Sequence, residues 1–242
     1  MKKKRNNKKK TFVGDKIKSE QSNWKFSKSV AKVFDTHVSK SVPLYNESHS
    51  VILKMSDFFI QDKFNVVDIG SSTGTFLNLL QKRHSHKKVN YYGVEPEREM
   101  NKLAKRKNKN IRFINKKIEN YQIPKNNLTT SLYTMQFISP SKRQIIFNKI
   151  FKSLNWGGAF FLFEKVRGPD ARFQDILTAS YNEYKLDQGY SHTDIAYKSI
   201  SLKGVLEPFS TAGNLSLLKR AGFKDILVIF KYICFEGYLA IK

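Results

Sequence analysis

Acidic residues are scarce in this sequence, cysteine is nearly absent and long apolar runs are missing. The one cysteine, Cys234, excludes a disulfide framework and any cysteine-based metal site. No stretch approaches the ~18 consecutive apolar residues of a membrane span. The Lys-rich N-terminus lacks the apolar core of a secretory signal. A soluble cytoplasmic protein with no membrane partner and no metal is expected. Asp and Glu number 20 against 44 Lys and Arg, a formal charge of +24. Such a field draws polyanions, so the basic surface makes nucleic acid a candidate partner. Yet only nine of the 44 cations are Arg, the residue whose fork best matches phosphates and bases, and seven crowd into residues 1–10. A solvated basic surface is the simpler account.

The chain has 242 residues, 40% hydrophobic and 13% aromatic, which is too apolar for wholesale disorder and long enough for one sizeable core. Residues 1–22 carry few apolar side chains in no period and read as a disordered basic tail. Residues 23–242 read as one domain. A helical lead-in over residues 25–59, broken near Ser41-Val42-Pro43, comes first. Short apolar runs then alternate with helical stretches, the pattern of βαβ units on a parallel sheet. Strands are expected at residues 64–69, 89–94, 111–114, 128–134 and 159–163. A helical insertion over the site spans 168–204. Residues 211–221 form a helix stopped by Gly222. Residues 225–231 and 233–241 are too close for a parallel crossover and should pair antiparallel. Five parallel strands closed by an antiparallel C-terminal hairpin make an α/β fold, and its pattern resembles the Rossmann-like class I methyltransferase sheet.

Two motifs carry chemistry. In Val66-Val67-Asp68-Ile69-Gly70-Ser71-Ser72-Thr73-Gly74-Thr75 a buried strand runs into an acid and then a small-residue turn that opens a helix. Gly70 and Gly74 let backbone approach a ligand, and Asp68 can accept from a ligand ammonium or its water. The G-x-G-x-x-G of a dinucleotide site is not met, since Ser72 stands at the middle glycine and the third is absent. Glu95, followed by Pro96, ends the second strand 25 residues after Gly70. A carboxylate there accepts from both hydroxyls of a ribose. Together the motifs specify an adenosyl ligand without phosphates, S-adenosylmethionine or S-adenosylhomocysteine rather than NAD.

From residue 23 to residue 242 the chain also resembles the CmoA family of carboxy-S-adenosyl-L-methionine synthases. The resemblance is carried by Asn23-Trp24-Lys25-Phe26, Val30-Ala31-Lys32-Val33-Phe34 and Ser41-Val42-Pro43-Leu44-Tyr45. It continues through the Asp68–Gly74 turn with its middle serine, Met135-Gln136-Phe137-Ile138, Leu154-Asn155-Trp156-Gly157-Gly158-Ala159, Glu164-Lys165, Gly189-Tyr190-Ser191 and Ala221-Gly222-Phe223. It implies binding of S-adenosylmethionine and use of prephenate as carboxyl source. A sulfonium ylide then captures carbon dioxide to give carboxy-S-adenosylmethionine for wobble-uridine modification in tRNA. A homodimer is implied as well. Carried over by position, Tyr45 contacts the cofactor, Gly70, Ser71 and Ser72 line its methionine part, and Glu95 with Pro96 holds the ribose.

Three positions depart from the family pattern. Lys117, followed by Ile118, stands where an acid takes the adenine amino group, and lysine cannot accept a hydrogen bond. Leu132 replaces an asparagine beside the cofactor. Ser199 replaces the arginine that pairs with the new carboxylate, a loss of roughly 2–5 kcal/mol in an enclosed site. Lys198 is adjacent, but neighbours on a helix point about 100° apart. The expectation is therefore methyl transfer, or weakened carboxyl transfer. A fully active prephenate-using synthase and a non-catalytic protein that binds cofactor or RNA are the alternatives.

No catalytic side chain is singled out. Glu164 and Lys165, at the end of the fifth strand, read equally as substrate contacts or as a structural ion pair. Tyr181, Tyr184, Tyr190 and Tyr197 read as core or as an aromatic lid. His84 and His86 are expected in solvent, and His37 and His49 in packing rather than in the cavity.

Overall fold

The computed structural model describes residues 11–15, 17–26 and 28–242. A short antiparallel hairpin comes first, β1 (Thr11–Phe12) and β2 (Lys18–Ser19). This overturns the expectation of a disordered tail for residues 11–15 and 17–22; the rest of that tail, residues 1–10 and 16, lies outside the described residues. The cause is apolar surface at two positions. Val13 and Ile17, each 1% exposed, pack with Trp24, Val30, Ala31 and Met100. Each such burial contributes roughly 1.5–3 kcal/mol. The backbone N–H groups of Ser22 and Trp24 donate to the carbonyls of Ile200 and Ser201, fastening the segment further.

Helices α1 (Lys28–Ser41) and α2 (Tyr45–Met55) follow, parted at Pro43 where the lead-in was expected to break. Five parallel strands come next: β3 (Asn65–Ile69), β4 (Asn90–Val94), β5 (Arg112–Ile114), β6 (Asn126–Leu132) and β7 (Leu154–Lys165). Helices α3 (Thr75–Arg83), α4 (Arg98–Lys107) and α5 (Pro140–Ser153) are interleaved with them. Helices α6 (Ala171–Asp187) and α7 (His192–Ser201) fill the long stretch after β7, each started by a side-chain cap, Asp170 and Ser191. Helix α8 (Thr211–Ala221) stops at Gly222, whose φ of 119° suits glycine alone. Strands β8 (Asp225–Tyr232) and β9 (Phe235–Ile241) close the sheet as an antiparallel pair.

The seven strands lie in the order β5-β4-β3-β6-β7-β9-β8, with β9 antiparallel to both neighbours. This is the α/β sheet expected from the sequence. Both faces are covered. Along β7, Ala159, Phe161 and Phe163 enter the core under α2 and α3, while Phe160 and Leu162 enter the one under α5 and α8. From β3 the chain steps outward through β4 and β5, then returns to the other side of β3 as β6. An open α/β sheet binds ligands at such a switch, at the carboxyl ends of its strands.

One smaller expectation fails. His84 is buried, not in solvent, because the end of α3 packs on the turn of residues 56–58; its Nε2 lies 2.8 Å from Ser56 Oγ. His86 is exposed as expected.

Candidate cofactor and substrate site

At that switch point lies a cavity of about 570 Å³, within the range of small-molecule sites. Its floor is the turn after β3. The N–H groups of Gly70 and Ser71 donate to Val94 O, which folds the turn back over β4. Gly70, at φ 76°, is pressed against Thr134, and a Cβ there would come 2.1 Å from Thr134 Oγ1. Ser72 adopts φ 50° without being glycine, a conformation that costs about 1–2 kcal/mol. Its N–H is what holds it, donating to Glu95 Oε2 at 2.9 Å.

Glu95 Oε1 accepts from the Glu97 N–H at 2.8 Å. The buried carboxylate therefore ties the β3 turn to the start of α4 while each oxygen keeps a second lone pair. Burial pushes its pKa up to about 7. Asp68, at the end of β3, is buried too, accepts from Thr130 Oγ1 at 2.7 Å, and burial raises it to about 7. The Tyr45 ring lies against that of His49, tilted by 56°, with centroids 4.3 Å apart. Burial lowers the His49 imidazole to about 4, which keeps it neutral.

Of the cofactor residues expected from the sequence, Tyr45, Asp68, Gly70, Ser71, Ser72, Glu95, Pro96, Lys117, Ile118 and Leu132 line this cavity; Gly74 does not, and instead starts α3. Lys117 is exposed at the rim, with Ile118 and Glu119 beside it in the lining.

The substrate-side residues divide. Glu164 does not line the cavity and makes no ion pair with Lys165, because neighbours on a strand face opposite ways. Its carboxyl accepts from the N–H groups of Thr134 (3.1 Å), Met135 (2.8 Å) and Gln136 (2.8 Å). It thus holds from behind the turn that supplies Thr134, Gln136 and Phe137 to the wall. Burial pushes it up to about 8. Lys165 does line the cavity, its Nζ 4.2 Å from the Tyr181 ring centroid, and burial lowers its pKa. Tyr181 is in the lining and donates to Ser41 O at 2.7 Å. Tyr184 stacks behind it, and Tyr197 is exposed.

Ser199 is exposed and outside the cavity, whereas Lys198 lines it. The Lys198 ammonium sits over the Trp24 ring and 3.0 Å from His37 Nε2. His37 Nδ1 is in turn 2.5 Å from Asp15 Oδ2. Burial, then the Lys198 charge, lowers the imidazole to about 4. Burial lowers the ammonium well below its ordinary value, with Asp15 drawing it back up. His37 and His49, expected in packing rather than in the cavity, are buried and both line it. Asp15 was hidden within the expected tail, and Trp24 gave only a resemblance.

Residues 66–158 match the methyltransferase domain family. A carboxy-S-adenosyl-L-methionine synthase of Staphylococcus epidermidis is 36% identical over 226 residues, 90% of this chain and 97% of that one. One of Campylobacter lari is 35% identical over 224 residues, 90% and 94% of the two chains. The chain belongs to the carboxy-S-adenosyl-L-methionine synthase family. As a member it is an S-adenosylmethionine-dependent transferase, which agrees with the cofactor read from the two motifs. Solved structures agree on the fold of this chain. A putative S-adenosyl-L-methionine-dependent methyltransferase of Methanococcus maripaludis aligns at TM-score 0.59 and 19% identity over 92% of this chain and 96% of that one. Human N-acetylserotonin methyltransferase, solved with S-adenosylmethionine, aligns at 0.61 and 15% over 89% and 56%. Among the described residues no helix is long and apolar enough to cross a membrane.

Proposed function

We propose that this chain makes carboxy-S-adenosylmethionine, with prephenate as the carboxyl source, and that Lys198 takes the part expected of an arginine at position 199. The Lys198 ammonium inside the cavity carries this reading. A cation in the cavity does nothing to hold the sulfonium itself, since like charges repel. A cofactor bearing an added carboxylate gains a charge-assisted hydrogen bond. The weakening expected from Ser199 presupposes that this position faces the ligand, and its side chain is exposed outside the lining.

The residues present fit S-adenosylmethionine. The free lone pairs of Glu95 suit a ribose diol, Asp68 suits the methionine ammonium, and Gly70, with Thr134 packed against its α-carbon, presents the turn's backbone to the cavity. When bound, the cofactor supplies an activated methyl carbon. The chain's task is alignment and exclusion of water, which alone removes much of such a barrier. Lys165 offers a second ammonium beside Tyr181 for a carboxylate of the dicarboxylic substrate.

Competition calorimetry with plain and carboxylated cofactor tests this. Wild type should prefer the carboxylated form by about tenfold or more, because ~1.4 kcal/mol suffices and a charged hydrogen bond commonly supplies it. Lys198→Met should lose the preference. Equal affinity in wild type returns the reading to methyl transfer, and binding of neither leaves a protein of another function.

A further inference from the structure

Lys198 stands at the end of a hydrogen-bond chain that begins outside the sheet domain. The ionised Asp15 carboxylate can only accept from His37 Nδ1, which leaves Nε2 to accept from Lys198 Nζ at 3.0 Å. The imidazole proton is then on Nδ1 and donates to Asp15 Oδ2. Tyr190 O–H donates to the same carboxylate oxygen at 2.7 Å. Asp15 sits in the turn between β1 and β2, and the turn is seated closely: a Cβ on Gly14 would come 2.5 Å from the Tyr190 ring.

We propose that Asp15 and His37 are positioning residues for Lys198: the hairpin carboxylate, acting through a neutral imidazole, holds the ammonium over Trp24, ready for an anion in the cavity. This deepens the function proposed above and rests on it for the identity of the anion. The four-carbon stem of lysine has many rotamers, and an acceptor in one place selects among them. Removal of Asp15 frees the imidazole to carry its proton on Nε2, which would turn a donor toward the ammonium. Other charges bear on the chain. Lys40 of α1 lies 3.7 Å from Asp15 Oδ1, and Lys185 of α6 repels Lys198. Tyr190 stays neutral, its hydroxyl raised by burial. Burial opposes the Asp15 charge, but the hydrogen bonds from Tyr190 and His37 outweigh it and hold that carboxylate ionised.

The test uses the full chain as wild type, Asp15→Ala, Asp15→Asn and His37→Phe. Each is pulsed with acetic anhydride across a pH series, and acetylation of Lys198 is read by peptide mass spectrometry with exposed Lys102 as internal standard. Loss of the acceptor or of its carboxylate withdraws support from the ammonium. The labelling midpoint of Lys198 should therefore fall by about one pH unit in Asp15→Ala and His37→Phe while that of Lys102 stays. Asp15→Asn, which removes charge but keeps an acceptor, should move it part-way and serves if Asp15→Ala does not fold. A purely structural tie would lower the melting temperature and leave the midpoint in place, which overturns the proposal. In parallel, the preference for carboxylated over plain cofactor should drop about tenfold in His37→Phe with plain-cofactor affinity retained. A preference that survives overturns the proposal too. Shifted midpoints in a protein whose wild type shows no preference uphold the positioning chain and overturn the synthase reading instead.

Discussion

Ile17→Ala is the sharpest probe of the N-terminal hairpin. Ile17 is 1% exposed among Val13, Trp24, Val30, Ala31 and Met100. Three carbons leave on truncation, about 2.4 kcal/mol at ~0.8 per buried methylene. The cavity left behind raises the cost toward about 2.5–4 kcal/mol. In a protein of this size each kcal/mol lowers the melting temperature by roughly 2–4 °C, so a fall of about 5–15 °C is expected by calorimetry. The hairpin's own docking energy caps that figure. If the hairpin opens separately, the excess appears as faster amide exchange at residues 11–22 and tryptic cleavage at Lys18. Either outcome should carry Asp15 away from His37 and shift the acetylation of Lys198. A variant that melts, exchanges and is cleaved like wild type would refute the docking of the hairpin.

Other outcomes follow from the site. Glu95→Ala should weaken S-adenosylmethionine by about 1–3 kcal/mol, read by calorimetry, through its lost ribose bonds and the released Ser72 turn. Gly70→Ala should abolish cofactor binding at unchanged far-ultraviolet dichroism, since the Cβ meets Thr134 Oγ1 at 2.1 Å. Asp68 and Glu95 are both raised to about 7 by burial and must be ionised to hold the ligand. Affinity should thus be full above pH 7 and fall as pH drops through it, by about tenfold for each group between pH 8 and 6. A flat profile would show that neither carboxyl changes its charge on binding in that range, against the raised values.

The sheet was legible because β3, β4 and β7 hold apolar runs that lead into a glycine or an acid, and because β8 and β9 lie too close for a crossover. The cofactor half of the cavity was legible for the same reason: Asp68 and Glu95 fall at strand ends, where the fold puts ligands. The hairpin was not. Two-residue strands have no period, and Val13 and Ile17 stand among lysines whose charge dominates any composition window. Lys198 against Ser199 was undecidable from spacing. On a helix the two differ by about 100°, and which one enters the cavity is set by how α7 docks on Trp24 and His37, side chains distant in sequence. Glu164 misled because its three partners are backbone N–H groups, which no side-chain motif announces.

The central claim is tested most directly by turnover. The purified chain is incubated with S-adenosylmethionine, with and without prephenate, and the adenosyl products are resolved by mass spectrometry. Carboxy-S-adenosylmethionine should form only when prephenate is present, and Lys198→Met should lose most of it. A wild type that forms none while still binding S-adenosylmethionine, or that forms only S-adenosylhomocysteine with a methylated acceptor, contradicts the account.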